Sequence, residues 1–153
     1  MTDDQRRVPD VVARPRPLYT RPSYLALLVL GGAVGTSLRS WLEDRYATVA
    51  GGWPWVTFAI NVVGSLVLGA LLTSLARTGP DAGWRRRVRV GLGTGTIGGF
   101  TTYSTFVVEV DLLLRDGRVA TGVAYALVSV VIGVGAAVLG VLGARAVTGR
   151  RAS

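Results

Sequence analysis

One nine-residue stretch of the chain combines residue types that could bind an ion. Residues 98–106 are Gly-Gly-Phe-Thr-Thr-Tyr-Ser-Thr-Phe, which places two glycines, four hydroxyl side chains and three aromatic rings inside a hydrophobic segment. Backbone at membrane depth leaves the helical hydrogen-bonding pattern only where it is buried in protein or lines a water-filled cavity. We therefore expect a helix break at Gly98–Thr102 that contributes to an ion or substrate site.

Such a break offers two kinds of ligand. Carbonyl oxygens released from the helical pattern need new partners, and a hard cation prefers oxygen ligands. The alternative is a simple kink in which Ser and Thr hydroxyls satisfy the backbone. Tyr103 and Phe106 are three residues apart and so share a helix face. The positive edge of an aromatic ring can approach an anion, although two such rings are also ordinary core packing.

Further polar residues lie within or at the ends of the hydrophobic segments. Asn61 lies in mid-segment, where an amide is costly unless bonded, so it either joins two helices or donates to a pore. Arg39 ends a helix, where it either reaches the interface or attracts anions to an aqueous vestibule. Glu109 lies three residues beyond Phe106, on the same helix face as the aromatic pair. Its simplest role would be an ion pair with an arginine near the interface. Tyr125 and Ser129 are four residues apart and face together.

Four windows without a charged residue define the elements that must position these groups. They span residues 22–38, 53–76, 90–108 and 119–144. Each approaches or exceeds the roughly 20 apolar residues that cross a bilayer as a helix. Period-2 alternation is absent, and barrel strands would be only about 10 residues long. The sequence therefore predicts an all-α membrane protein with four transmembrane helices, the third of them broken at Gly98–Thr102.

The pattern also predicts how the chain is divided. Residues 1–22, rich in arginine and proline, are expected to form a disordered cytoplasmic tail. Residues 23–146 form the four-helix transmembrane domain, and residues 147–153 form a basic C-terminal tail. Helix one is predicted from about Tyr24 to Trp41, with a polar turn at residues 43–45, and helix three from about Arg87.

Charge and composition exclude several functions. The formal net charge is +8, and the chain has arginines at the ends of its windows but no lysine, cysteine or histidine. This placement is typical of membrane topology signals rather than of nucleic-acid binding. Without a thiolate and without the commonest general base, binding and passage are favoured over catalysis. Thirteen of the 17 arginines lie in the termini and the loop after helix two, which predicts cytoplasmic termini.

Glycine and alanine are patterned along the helices. Small residues at four-residue spacing predict close helix packing, and they are Gly31/Gly35, Gly91/Gly95/Gly99 and Ala136/Gly140/Ala144. The stretch Gly93–Gly98 matches G-x-G-x-x-G, but no strand precedes it, so we interpret it as helix and not as a dinucleotide site. Because four helices enclose little interior, a polar pathway would form most easily between two copies, and we expect a dimer.

Three of these motifs resemble those of the Fluc (CrcB-type) fluoride channels, over about residues 27–146. Residues 98–106 resemble the signature Gly-Gly-x-Thr-Thr-Phe-Ser-Thr-Phe, with Tyr103 in place of phenylalanine. The stretch that ends in Arg39 is similar to the pattern Gly-Gly-x-x-Gly-Ala-x-x-Arg, and the surroundings of Asn61 are similar to Val-Asn-x-x-Gly-Ser. Val107 stands where many members of that family have serine, so the polar track of the family has one hydroxyl fewer in this chain.

The resemblance implies a fluoride-selective channel subunit in the cell membrane that lowers cytoplasmic fluoride by passive export. It implies an antiparallel dimer, in which the breaks of two subunits meet and the backbone carbonyls of Gly98 and Thr101 hold a structural sodium ion. It also implies a fluoride pathway lined by Arg39, Asn61, Tyr103, Ser104, Thr105, Phe106, Glu109, Tyr125 and Ser129.

Two alternatives remain at this point. A small four-helix drug/proton antiporter would also form antiparallel dimers, but it needs an ionisable carboxylate deep in a span, and Glu109 is the only acid near one. A membrane scaffold without transport would not move fluoride at all. The arginine bias, thirteen against four, further predicts a fixed orientation and an oppositely oriented paralogue as partner rather than a homodimer.

Overall fold

The computed structural model describes residues 21–46 and 52–149, and these residues form helices and no strand. Four stretches are long and apolar enough to cross a membrane, which confirms the predicted all-α fold with four spans. Spans one, two and four are single helices, namely α1 (Pro22–Arg45), α2 (Trp55–Arg77) and α6 (Val119–Gly149). Span three consists of α3 (Gly83–Val88), a π-helical stretch (Arg89–Ile97), α4 (Gly98–Phe100) and α5 (Ser104–Arg115).

Several helices extend further than the sequence predicts. α1 includes residues 43–45, where a turn was expected, because Arg39 and Glu43 pair at i,i+4 with 3.3 Å between Nη1 and Oε2. Span three begins at Gly83 rather than near Arg87. α6 continues to Gly149 and so includes three residues assigned to the C-terminal tail. The rest of that tail, and residues 1–20 of the predicted disordered tail, lie outside the described residues.

The break in span three begins three residues later than predicted, at residues 101–103. Gly98 keeps helical angles (φ −63°, ψ −36°), whereas Thr101 is extended (φ −76°, ψ 154°). The helix persists through the glycines because the Thr101 amide still donates to the Ile97 carbonyl, at 2.9 Å. The G-x-G-x-x-G stretch lies in the π-helix and α4, which confirms that it is helix.

α1 packs against span three through glycines at the contact, which we call the glycine seam. Its members are Gly31, Gly35, Gly91, Gly95 and Gly99. A Cβ added to Gly31 would collide with the Gly91 carbonyl oxygen, and one added to Gly35 would collide with the Thr96 carbonyl oxygen. The backbones therefore touch directly, as the four-residue spacing predicts.

α2 and α6 meet in the same way on the other side of the fold. A Cβ on Gly140 would collide with the Leu66 carbonyl oxygen, and one on Gly69 would collide with the Ala137 carbonyl oxygen. Ala136 and Ala144 are buried on the same face of α6. The third predicted run of small residues is thus also a packing surface.

The loop between α2 and α3 is held by arginines. Arg89 donates two hydrogen bonds to the Asp81 carboxylate, at 3.0 and 2.8 Å, and Arg86 lies 3.5 Å from it. Arg85 donates to the Pro80 carbonyl at 3.0 Å. The hydrogen bond from Arg89 lowers the pKa of Asp81 below its ordinary value. One carboxylate thus organises the most arginine-rich turn of the described chain.

Candidate functional site

The break in span three is closed by a side chain from α2. Asn61 Nδ2 donates to the Thr102 carbonyl at 2.9 Å, and Asn61 Oδ1 accepts from the Thr102 amide, also at 2.9 Å. A single carboxamide therefore replaces both the donor and the acceptor that the helix would have supplied. In this structure Asn61 joins two spans, and one of its two amide hydrogens has no acceptor within residues 21–46 and 52–149.

Thr102 organises the start of α5, and we did not identify it from the sequence. Its side chain is buried, and its hydroxyl accepts from the Thr105 amide at 3.1 Å. The same hydroxyl lies 3.1 Å from Thr105 Oγ1 and 3.3 Å from Ser104 Oγ. A threonine three residues before a free helical amide is a usual N-terminal cap, and this spacing is a signal in the sequence that would have found it.

Arg39 reaches the other side of the break from α1. Its Nε lies 3.4 Å from the Gly99 carbonyl oxygen and its Nη1 lies 3.4 Å from Thr105 Oγ1, both long hydrogen bonds. Thr36 also donates to the Gly99 carbonyl, at 3.3 Å. Arginine is a common partner for the last carbonyls of a helix. Arg39 is therefore placed at the break, with Glu43 as its carboxylate partner.

The carbonyl oxygens of the break differ in how they are satisfied. Those of Ile97, Gly99 and Thr102 each accept a hydrogen bond. Those of Gly98 and Thr101 accept none from residues 21–46 or 52–149. Gly98 is also exposed on the surface of the protein. The two carbonyls singled out in the sequence thus need an outside partner.

Glu109 on α5 is bound by two hydroxyl groups rather than by an arginine. Thr57 Oγ1 donates to Oε1 and the Tyr125 hydroxyl donates to Oε2, each at 2.7 Å. Thr57 is 1% exposed and Tyr125 is fully buried. We call Thr57, Glu109 and Tyr125 the hydroxyl cluster. Thr57 was missed because a threonine in an apolar helix has no sequence signal of its own.

The aromatic residues form a column from the break to this cluster. The ring centroids of Tyr103 and Phe106 are 6.2 Å apart, and those of Phe106 and Tyr125 are 5.3 Å apart. We call these three rings the aromatic column. Tyr103 is 79% exposed, so its end of the column faces outward. Ser104, next to it, is also exposed.

Ser129 lies one turn beyond Tyr125 on α6, as its spacing predicts. Its hydroxyl oxygen is buried and has no hydrogen-bond partner in the described part of the chain. The structure therefore brings the predicted residues into two neighbouring groups. Asn61, Thr105 and Arg39 surround the break, and the aromatic column with Glu109 and Ser129 continues from it.

The chain is similar to known proteins over most of its length. Residues 26–141 match the family described as CrcB-like protein, Camphor Resistance (CrcB). The fluoride-specific ion channel FluC 1 of Cutibacterium acnes is 44% identical over 136 residues, which cover 89% of this chain and 95% of that protein. FluC 2 of Leifsonia xyli is 44% identical over 135 residues (88% and 92%), and FluC of Deinococcus radiodurans is 46% identical over 121 residues (77% and 93%). The chain therefore belongs to the CrcB-like family, and it is a multi-pass membrane protein.

Proposed function

We propose that the protein is a subunit of a fluoride channel that lets fluoride leave the cytoplasm passively, without catalysis. Relatives that match almost the whole chain carry the name of fluoride-specific ion channels. The observation that carries the proposal is the polar break in span three, from which the aromatic column leads away through the span. At membrane depth such a break is tolerated only where it is buried in protein or lines a water-filled cavity.

The proposed pathway offers what a small, strongly hydrated anion needs. Its water must be replaced by hydrogen-bond donors at sites weak enough to release it. Ser129 supplies a buried hydroxyl that has no partner among the described residues, and one amide hydrogen of Asn61 is likewise unpaired there. Ser104 and Thr105 add hydroxyls beside the break, while Tyr103 and Phe106 supply positive ring edges. Tyr125 and Glu109 line the continuation.

Arg39 contributes long-range attraction in this proposal. Its guanidinium lies at the break, so its field acts close to the proposed pathway. Glu43 offsets part of that charge, at 3.3 Å. The pair therefore attracts anions without trapping them, which suits rapid passage.

We further propose that the break binds a structural sodium ion. The Gly98 and Thr101 carbonyl oxygens have no donor among the described residues, and carbonyl oxygens are ligands suited to a hard cation. A sodium ion there would coordinate the oxygens that the break leaves without a hydrogen-bond partner. Two carbonyls are too few for a full coordination shell, so the remaining ligands would come from a second subunit.

Exposure of the break supports a dimer. Gly98, Tyr103 and Ser104 are all exposed on the subunit although they lie within a membrane span. Irregular backbone and free polar groups are not tolerated against lipid. We propose that a second subunit covers this face in an antiparallel arrangement. The arginine bias favours a paralogue of opposite orientation over a homodimer.

Fluoride efflux from liposomes tests the function. Reconstitution from detergent inserts chains in both orientations, so this chain alone can form antiparallel pairs there. We expect efflux well above the leak of protein-free vesicles and no comparable chloride efflux. Efflux equal to the leak would refute the channel. Movement of quaternary amines against a proton gradient would instead indicate the antiporter.

Orientation in cells is tested separately. The chain has no cysteine, so a single one placed at Asp116 or at Ala82 marks opposite sides of the membrane. We expect an impermeant thiol reagent to label only the Asp116→Cys variant in intact cells. Equal labelling of both variants would contradict the fixed orientation and with it the need for a paralogue.

A further inference from the structure

Trp53 does not have the position that its sequence suggests. Trp53 and Trp55 flank Pro54 at the start of α2, where indoles are typical of the membrane interface. The structure separates the two residues. Trp55 is 65% exposed, whereas Trp53 turns inward and meets Tyr125 edge to face, with 5.3 Å between centroids. Trp53 therefore extends the aromatic column by one more ring.

The indole nitrogen of Trp53 is buried and lacks an acceptor in the described part of the chain. A buried donor without a partner costs about 1–3 kcal/mol, and each such group in a native structure calls for an explanation. Only three buried side-chain polar atoms of the described residues share this state, and one of the others is Ser129 Oγ. Both Trp53 and Ser129 adjoin Tyr125 on the proposed pathway.

The hydroxyl oxygens of Thr57 and Tyr125 keep lone pairs that could accept a hydrogen bond, but neither accepts one from the Trp53 indole N–H. Thr57 and Tyr125 each donate their hydrogen to Glu109. An indole N–H can only donate, so its missing partner must be an acceptor. Next to ring edges, which carry partial positive charge, a small anion is an acceptor of suitable chemistry. The carboxylate of Glu109 nearby keeps such binding weak.

We propose that the indole N–H of Trp53 is a transient binding site for the conducted anion, at the end of the aromatic column beside the start of α2. This inference rests on the proposed function and adds a donor that the motifs do not include. The anion would pass the rings of Phe106 and Tyr125 and meet the Trp53 N–H before it reaches water. Weak binding at this point favours release.

Flux through matched variants tests the inference. Trp53→Phe keeps an aromatic ring against Tyr125 and removes only the N–H and part of the ring. We expect fluoride efflux to fall about tenfold, the scale of a lost hydrogen bond to a charged group. Trp55→Phe makes the same change on the exposed indole two residues away and should leave efflux unchanged. Equal efflux from both variants and the parent would overturn the inference, while a parent at the leak rate would refute the channel itself.

Tryptophan emission distinguishes anion binding from packing. Trp41, Trp55 and Trp84 are all exposed, so replacing them by phenylalanine leaves Trp53 as the only indole. We expect the emission of this protein to change with added sodium fluoride and to saturate, with no change in sodium chloride at equal ionic strength. If Trp53→Phe reduces efflux but the emission ignores fluoride, Trp53 only supports Tyr125 and the inference is wrong.

Discussion

Span three is held in two different ways along its length. Its first part meets α1 at the glycine seam, where backbone touches backbone directly. Its last part is held by hydrogen bonds, from Thr57 and Tyr125 to Glu109 on α5 and from Asn61 to Thr102 just before α5. The contact with α1 requires glycine, which has no side chain to keep the two backbones apart. The contacts of the last part require particular polar atoms.

This difference separates the part of span three that supports the fold from the part that carries the polar groups of the proposed pathway. The glycine seam is a contact between two backbones, so it holds the first part of span three against α1. The hydrogen-bonded part keeps polar groups inside a membrane span. Such groups are costly at that depth, and where they occur they usually mark a substrate or ion pathway. We therefore expect changes in the seam to act on folding, and changes near the break to act mainly on conduction.

The largest effect is expected from Gly35→Ala. Its Cβ would collide with the Thr96 carbonyl oxygen and lie 2.8 Å from the Phe100 amide nitrogen, and neither backbone atom can move aside cheaply. Overpacking costs about 1–3 kcal/mol or more, so the folded fraction and flux should both fall sharply. Gly32→Ala is the matched control, because no atom lies within 4 Å of its added Cβ. Similar thermal unfolding of the two variants would contradict the seam.

Asn61→Leu should combine both effects. The change leaves the Thr102 amide and carbonyl without partners, at about 1–3 kcal/mol for each buried group. We expect fluoride efflux to be lost and the unfolding temperature to fall. Asn61→Asp retains the acceptor for the Thr102 amide and loses the donor, so it should fold better than Asn61→Leu. Normal efflux from the folded fraction of Asn61→Leu would show that Asn61 only joins the two spans and takes no part in conduction.

Phe106→Ile should reduce conduction with little effect on folding. Isoleucine keeps apolar bulk but removes the ring edge, and such swaps usually cost less than about 1.5 kcal/mol. We expect at least a tenfold loss of efflux with a nearly unchanged unfolding temperature. Tyr103→Phe is the comparison variant, since it keeps the ring and restores the residue of the resembling signature. Parental efflux from Phe106→Ile would reduce the aromatic column to packing.

Asp81→Asn lies outside both regions and should have the smallest effect. The Arg89 hydrogen bond lowers the pKa of Asp81, so its stabilisation is present above about pH 4 and is lost as the pH falls through the lowered value. Because the pair is half exposed, we expect less than about 1 kcal/mol at pH 7, with unchanged efflux. Denaturation at pH 7 and at low pH measures it. A difference from the parent that grows in acid would contradict this sign.

The sequence was sufficient to predict features set by local pattern. The four spans follow from uncharged windows, and the packing faces follow from small residues at four-residue spacing. The position of the break was predicted only approximately. Two glycines suggested an early start, but the helix ends where Asn61, 41 residues away, captures the Thr102 amide. A contact of that range has no trace in the local pattern.

The site was predictable in its membership but not in its connections. Arg39 and Glu109 were identified as polar residues at suitable places, yet their partners were not. Arg39 bonds a helix-ending carbonyl, and Glu109 receives hydroxyls from two other spans. Trp53 and Trp55 have the same residue type and almost the same position, so only the structure separates the inward indole from the outward one.

The carboxamide at Asn61 has a consequence for how this chain can vary. It presents one donor and one acceptor at a fixed reach, and both are used by a single peptide unit. Aspartate offers no donor, leucine offers neither group, and glutamine is longer by one methylene. No other standard amino acid therefore presents this donor and this acceptor at the same reach. At Gly32 no atom of the described residues lies within 4 Å of an added Cβ, so a lineage under selection for fluoride tolerance has freedom at that position that it does not have at Asn61.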